Sequence, residues 1–465
     1  MPERKALQLT AVSAAVGLVL AGAAAGLAGP WDSGQRTAER ARAAAQAPAG
    51  GVHHAPQDPK PPAVRPTPAP APSAPAVLRA LPPAPPAARP LAPALDPLLG
   101  ASGLGRTRTA AVVDAATGRL LYGSGAGTPM TPASTVKIAT AAAALTALGP
   151  DHRIPTTVAA RPDARALTLV GGGDPTLDRA RLAALATGTA KALRTRKVTA
   201  VTLTYDTSLY TGPARHRIGP NDNIALVTPL MTAGARLEGS PAAGPAPRSA
   251  DPAGDTARTF AELLTAQGVT VRPPTPAKAP KDAKPLATTR SAPLSALVER
   301  MLTDSDNDLA EALARQTALA GGRPAGFDGG SKAVRAQLAK LGLPLDGAVV
   351  ADGSGLDRGN RLSARLLAGL LARAADPDRP ALRPILTGLP VGGFSGTLKD
   401  RYADGSPGAG LVRAKTGTLT GVNALAGTVV GPDGRLLAFA FLAADTASPY
   451  EAQPALDALA AALTR

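Results

Sequence analysis

The sequence predicts an α/β protein in which a smaller α/β segment interrupts a larger mixed one. Three stretches carry that expectation. Thr109 to Tyr122 reads as a β-hairpin around Asp114-Ala115-Ala116-Thr117-Gly118, and it leads into an Ala-rich helical run after Ser134. Residues 154–286 alternate strand, glycine turn, helix and strand. Near the C-terminus, two apolar runs flank Gly431-Pro432-Asp433-Gly434, and an amphipathic helix over 449–463 closes the chain.

Length and composition bound the chemistry. The 465 residues suffice for more than one domain and a sizeable core. Of these 45% are hydrophobic but only 2% aromatic, so small aliphatic side chains must build that core. The chain has no cysteine, which excludes thiolate nucleophiles, cysteine-ligated zinc and disulfides. His53, His54, His152 and His216 form no metal-binding motif, so neither metal nor cofactor is expected. His53 and His54 fall in a Pro-rich stretch, so a Ser-His-Asp triad would have to use His152 or His216. That scarcity makes a lysine the better candidate for a general base. The formal net charge of +16 suits an anionic surface such as a membrane or a cell-wall polymer. With no basic helix and almost no aromatics for stacking, nucleic acid is not an expected partner.

In chain order, Arg4 and Lys5 precede an uncharged run from Ala6 to Trp31, which reads as a secretory signal or a membrane anchor (residues 1–31). Membrane contact is expected through this segment only. Residues 32–97 form a Pro/Ala-rich linker. The 17 prolines between Ala47 and Pro97 remove too many backbone donors for a packed core, leaving an extended spacer. At ~3.1 Å per residue it reaches up to ~150 Å. The folded part is expected from about Pro97. Within 154–286, Leu169-Val170-Gly171-Gly172-Gly173-Asp174-Pro175 reads as a strand entering a tight turn. It is not a phosphate loop, because no Gly-Lys-Ser/Thr follows and Pro175 interrupts. A helix is expected over 177–194, a strand over 198–205, and a Pro/Lys-rich break over 272–285. Helices follow over 293–302 and 308–320, with a strand over 408–418.

Three short motifs stand in order. Ser134 and Lys137 lie three residues apart at a helix start, on one face, so that a neutral lysine can take the serine's proton. Ser305-Asp306-Asn307 lies between two helices, and Lys415-Thr416-Gly417 lies in a strand. Alone, each has a plain structural reading: a first-turn serine, a helix cap, an edge strand. Together, behind an export signal, they are the set used by penicillin-binding proteins and serine β-lactamases. A gap of 171 residues between Ser134 and Ser305 leaves room for an inserted domain.

From Leu99 onward the chain resembles the D-alanyl-D-alanine carboxypeptidase/endopeptidase family, the low-molecular-mass class C penicillin-binding proteins (peptidase family S13). Gly171-Gly172-Gly173-Asp174-Pro175-Thr176-Leu177, Asp352-Gly353-Ser354-Gly355-Leu356, Gly396-Thr397-Leu398 with Arg401, and Lys415-Thr416-Gly417-Thr418-Leu419 also look like that family. One departure follows Leu209-Tyr210-Thr211-Gly212-Pro213: family aromatics give way to Ala-Arg-His-Arg-Ile-Gly-Pro-Asn-Asp-Asn.

The resemblance implies a β-lactamase/transpeptidase-like catalytic domain, an antiparallel sheet flanked by helices, over 98–153 and 287–465, with an inserted α/β domain over 154–286. It implies hydrolysis of peptidoglycan peptides ending in, or cross-linked through, D-Ala-D-Ala, with β-lactams as covalent inhibitors. Ser134 would be the nucleophile. Lys137 would be its base, its pKa lowered by burial and by nearby Lys415, and Ser305 would relay the proton. Asn307 would hold the substrate amide and Lys137. Lys415, still charged, would bind the substrate carboxylate with Thr416, Gly417 and Thr418, and the N–H groups of Ser134 and Thr418 would form the oxyanion hole. Asp306 and the Asp352–Gly355 stretch are read as structural. A serine β-lactamase is disfavoured, since no glutamate lies between Glu311 and Glu451 to deacylate the enzyme. A non-catalytic wall-binding module is disfavoured by the intact motif set.

Overall fold

A computed structural model describes residues 90–402 and 405–465 of the chain. The signal or anchor segment and the Pro-rich stretch as far as residue 89 lie outside the described residues. Among the described residues no helix is long and apolar enough to cross a membrane.

The fold begins a little earlier than Pro97. Helix α1 (Ala92–Leu99) buries Leu95 and Leu99, and its first turn carries a proline, where no intrahelical donor is needed. Strands β1 (Thr107–Asp114) and β2 (Leu120–Ser124) form the expected hairpin, with β3 (Pro129–Met130) following. Helix α2 (Val136–Leu148) is buried continuously from Val136 to Leu145. A helix apolar on every side belongs at the centre of a large core, and this one packs against several other helices.

A second sheet follows. Strands β4 (Pro155–Ala160) and β5 (Ala166–Val170) pair antiparallel; helix α3 (Arg179–Thr195) then crosses over to β6 (Ala200–Asp206), parallel to β5. Helix α4 (Pro252–Thr265), unforeseen in the sequence, packs beside α3. The strands β7 (Thr270–Val271), β8 (Thr275–Pro276) and β9 (Lys284–Arg290) complete it in the order β7-β6-β5-β4-β9, with β8 also on β6. The stretch read as a Pro/Lys-rich break thus contains β8 and the start of β9. Leu167, Leu169, Leu182, Leu193, Phe260 and Leu264 share its core.

The chain then returns to the first core through α5 (Leu294–Thr303), α6 (Asn307–Ala320), α7 (Phe327–Ala339), β10 (Leu362–Ser363) and α8 (Ala364–Ala375). It finishes with β11 (Arg413–Leu419), β12 (Val422–Val430), β13 (Leu436–Ala444) and α9 (Pro449–Ala462). The expected strand over 408–418 starts only at Arg413, because residues 405–411 turn. The main sheet is antiparallel, ordered β11-β12-β13-β1-β2.

Its alternation makes three layers. Ala111, Val113, Ala438, Ala440 and Leu442 face the core shared with α2, α5, α6 and α8. Ala110, Val112, Phe439, Phe441 and Ala443 face the core shared with α1 and α9. Edge strand β11 lies along the turn at 133–135 that leads into α2, which places the third motif beside the first.

Candidate active site

Ser134 sits in a single 3-10 turn, Ala133–Thr135, that runs directly into α2. Ala133 is held at a φ of 46°, a left-handed value that costs a non-glycine residue energy and is typical of functional turns. The Thr135 hydroxyl braces the turn by donating to Pro132 O at 2.7 Å. Two glycines allow the close packing around it. At Gly355, with φ of 88°, a Cβ would collide with the Ala133 carbonyl oxygen; at Gly417 a Cβ would lie 2.7 Å from Pro132 O and 3.2 Å from Ser134 N.

Lys137, one turn further along α2, is completely buried. Its Nζ lies 3.0 Å from Ser134 Oγ, 2.7 Å from Asn307 Oδ1 and 2.6 Å from Ser354 O. An ammonium fills all three sites by donating. A neutral amine has two N–H bonds for the two acceptors that cannot donate, and its lone pair then faces the serine hydroxyl.

The second motif caps α6. Asp306 Oδ1 accepts from Leu309 N at 3.0 Å, the structural role expected of it. Asn307 meets Lys137 through Oδ1, and its Nδ2 donates to Asn223 O at 2.9 Å. Ser305, also left-handed with φ of 57°, lines the cleft. The third motif lies on β11: buried Lys415 donates to Thr416 O at 2.9 Å, and the Thr416 and Thr397 hydroxyls are 2.8 Å apart. Ser134, Ser305, Asn307, Thr416 and Thr418 line one cleft of about 340 Å³. All three motifs therefore converge.

Electrostatics separate the two lysines. Burial lowers Lys137 from 10.5 to about 8, against the opposing pull of Asp352, Asp306, Glu311 and Asp308. The repulsion expected between the two lysines is present. Lys415 is itself held well below its ordinary value, first by burial and then by the charge on Lys137. The direction of that shift runs against the expectation that Lys415 keeps its charge.

Two parts of the site were not legible. The turn read as merely structural supplies Ser354 O to Lys137, and its Asp352 is buried in a hydrogen-bond network. Asp352 accepts from Gly355 N, Asp357 N, Ser354 Oγ and Asn360 Nδ2 at 2.7 to 3.0 Å, and lies 3.0 Å from His216 Nε2. The other part comes from residues 221–248. Asn223, Arg236 and Arg248 line the cleft, and Asp308 ties them down by accepting from Ala225 N at 2.9 Å and pairing with Arg248 at 3.1 Å. No local pattern marks such long-range pairs.

His216, Glu311 and Asp352 are the group among the described residues with potential metal-ligand atoms mutually within 4.8 Å. Each is already engaged: Glu311 accepts from Gly353 N, Ser354 N and Arg315, and His216 meets Asp352. This is a satisfied network, and His216 is directed to Asp352 as its hydrogen-bond partner.

The chain matches the model of the D-Ala-D-Ala carboxypeptidase 3 (S13) family over residues 91–228 and 229–463. It is 39% identical over 374 residues to Carboxypeptidase DacB of Mycolicibacterium smegmatis, covering 76% of this chain and 80% of the relative. It is 32% identical over 409 residues to the D-alanyl-D-alanine carboxypeptidase of an Actinomadura species, covering 70% and 75%. Among solved structures it resembles penicillin binding protein 4 from Haemophilus influenzae with a TM-score of 0.63 at 22% identity, over 74% of this chain and 91% of that one.

Proposed function

The chain belongs to the D-Ala-D-Ala carboxypeptidase 3 (S13) family and is a serine-type D-Ala-D-Ala carboxypeptidase; on that premise we propose that it cleaves peptidoglycan stem peptides through an acyl-enzyme on Ser134. The observation that carries the assignment is the hydrogen-bonding of Lys137 Nζ. Asn307 Oδ1 and Ser354 O take its two N–H bonds and aim the remaining lone pair at Ser134 Oγ.

Ser134 Oγ attacks the carbonyl carbon of the penultimate D-Ala while its proton passes to Lys137. The N–H groups of Ser134 and Thr418 face the oxyanion, where one such donor is typically worth ~3–4 kcal/mol. Collapse breaks the C–N bond, and the leaving amine takes the proton from Lys137 through Ser305. Water then hydrolyses the ester, again with Lys137 as base. The terminal carboxylate binds against Lys415, Thr416 and Thr418, and its negative charge favours the protonated form of Lys415. Asn307 holds Lys137 and offers its amide to the substrate, and Gly417 lets the strand approach the nucleophile.

A β-lactam opens on the same Ser134 Oγ. Deacylation is then slow, because Glu311, the first glutamate after Asn307, is spent on the 353–354 backbone and Arg315. A solved structure of penicillin binding protein 4 from Haemophilus influenzae is complexed with a β-lactam, and this chain resembles it with a TM-score of 0.60 at 23% identity. The enzyme acts outside the cytoplasm; we assign residues 1–31 to export or anchoring, the stretch from 32 up to helix α1 to a spacer and 154–286 to an inserted domain.

Replacing Ser134 by Ala tests the assignment. Both the mass increase on incubation with penicillin and the release of D-alanine from a pentapeptide wall fragment are expected to vanish. Retained release would defeat it. Parallel incubation with a cross-linked dimer measures the endopeptidase share.

A further inference from the structure

Behind the catalytic lysine lies a buried histidine that the mechanism above does not use. His216 belongs to the stretch following Pro213, where family aromatics are replaced. Its ring is 3% exposed and packs edge-on against Phe327, with centroids 5.2 Å apart at 78°. Nδ1 accepts from Ile218 N at 3.2 Å, so Nε2 carries the hydrogen that faces Asp352 Oδ2 at 3.0 Å. Asp352 fixes the turn through Gly355 N, Asp357 N and Asn360, and the turn presents Ser354 O to Lys137. Histidine, carboxylate, turn and lysine thus form one unbroken run of hydrogen bonds.

We propose that His216 is a positioning residue for Lys137: by donating to Asp352 it holds the 352–355 turn in register and damps the carboxylate's field at the lysine amine. The proposal rests on the Ser134–Lys137 reading given above. Among the groups that hold protons on Lys137, Asp352 is the strongest. Anything that neutralises Asp352 therefore favours the free amine that acts as base.

The groups facing His216 come from several elements. Asp352 and Asp357 lie on the turn and Glu311 on α6, where it pairs with Arg315, while Asp328 of α7 pairs with Arg217. Arg215 and Arg217 flank it in sequence, and a cavity of about 310 Å³ adds Asp222 and Arg248. Burial disfavours the imidazolium, but Asp352, Glu311 and Asp357 outweigh it and hold the ring above its ordinary value. Protonation at Nδ1 would strengthen the hold on Asp352 at the expense of the Ile218 bond.

The test is the pH dependence of Ser134 acylation by penicillin in the full chain, for wild type, His216→Ala and His216→Gln. In His216→Ala the rising limb shifts to higher pH by about half a unit to one unit, so acylation at pH 7 slows roughly 3- to 10-fold and recovers at high pH. In His216→Gln, where a side-chain N–H again reaches Asp352, most of the shift is reversed. A His216→Ala limb at the wild-type pH, whether or not the plateau falls, overturns the proposal, as does failure of Gln to rescue. If His216→Ala does not fold, wild-type NMR decides: the His216 ring signals, assigned through contact with Phe327, must show an inflection at the acylation midpoint. Absence of that inflection overturns the proposal. Absence of any penicillin adduct on wild-type enzyme would instead defeat the Ser134 reading itself.

Discussion

Lys137 carries a cost that the fold tolerates for its chemistry. A fully buried amine titrating near 8 rather than 10.5 makes the charged form less favourable in the folded state, by about 3 kcal/mol on the scale of 1.36 kcal/mol per unit. Between pH 8 and 10.5 the unfolded chain binds more protons at this residue than the folded one. Stability from Lys137 therefore rises with pH through that window. His216 has the opposite sign: its pKa is raised, so its contribution is full below about 6.5 and is lost as pH rises through the higher folded value. Chemical denaturation of wild type and Lys137→Met across pH 7 to 10.5 checks the lysine window; the difference curve between them should slope, and a flat one contradicts the assignment. Gly355 offers a conformational test. Gly355→Ala combines an unfavourable φ with a collision against the Ala133 carbonyl, and is expected to cost at least ~1–3 kcal/mol in denaturation and to slow acylation.

At the scale of elements, α2 and α6 share one hydrophobic core and are joined at the cleft by the hydrogen bond from Lys137 to Asn307. The Ala-rich run after Ser134 was legible because a helix buried on all sides needs apolar residues throughout, and a lysine within such a run stands out. The cap at Asp306 was legible because the chemistry is local. Asp306→Ala should lower stability by about 1 kcal/mol, the usual loss for an N-cap. It also removes a negative charge that favours protonated Lys137, so its acylation limb moves to lower pH, opposite to His216→Ala. The turn at 352–355 was opaque for the converse reason. Its meaning comes from Lys137, Glu311 and His216, residues far away in sequence, and Asp-Gly-Ser-Gly by itself specifies only a turn. Helices α4, α7 and α8 went unpredicted although their buried apolar residues recur at helical spacing, as Phe260 and Leu264 do in α4 and Leu366, Leu367, Leu370 and Leu371 in α8.

Across the whole molecule, residues 221–248 reach the cleft and are fastened there by Asp308 together with Asn307, whose amide donates to Asn223 O. Burial and nearby Asp306 push Asp308 up to about 6, while Arg248 opposes them from 3.1 Å. Arg248→Ala strands that acid, and removing one partner of a buried pair costs roughly 3–5 kcal/mol, read out as a lower denaturation midpoint. The first hairpin and the strand, turn and helix pattern of 154–286 were legible because the chain displays them locally, whereas the meeting of the three motifs was implied by the family resemblance and the strand order was not predicted. Nor was the contribution of Asn223, Arg236 and Arg248, because only the folded chain brings them to the catalytic serine. All these features serve one claim, that a neutral, buried lysine activates the serine. The most direct measurement is the second-order rate of wild-type Ser134 acylation by penicillin as a function of pH. The rate should climb through a midpoint near 8, the value set by burial of Lys137. A midpoint near 10.5, where an exposed lysine titrates, or a rate indifferent to pH, would contradict it.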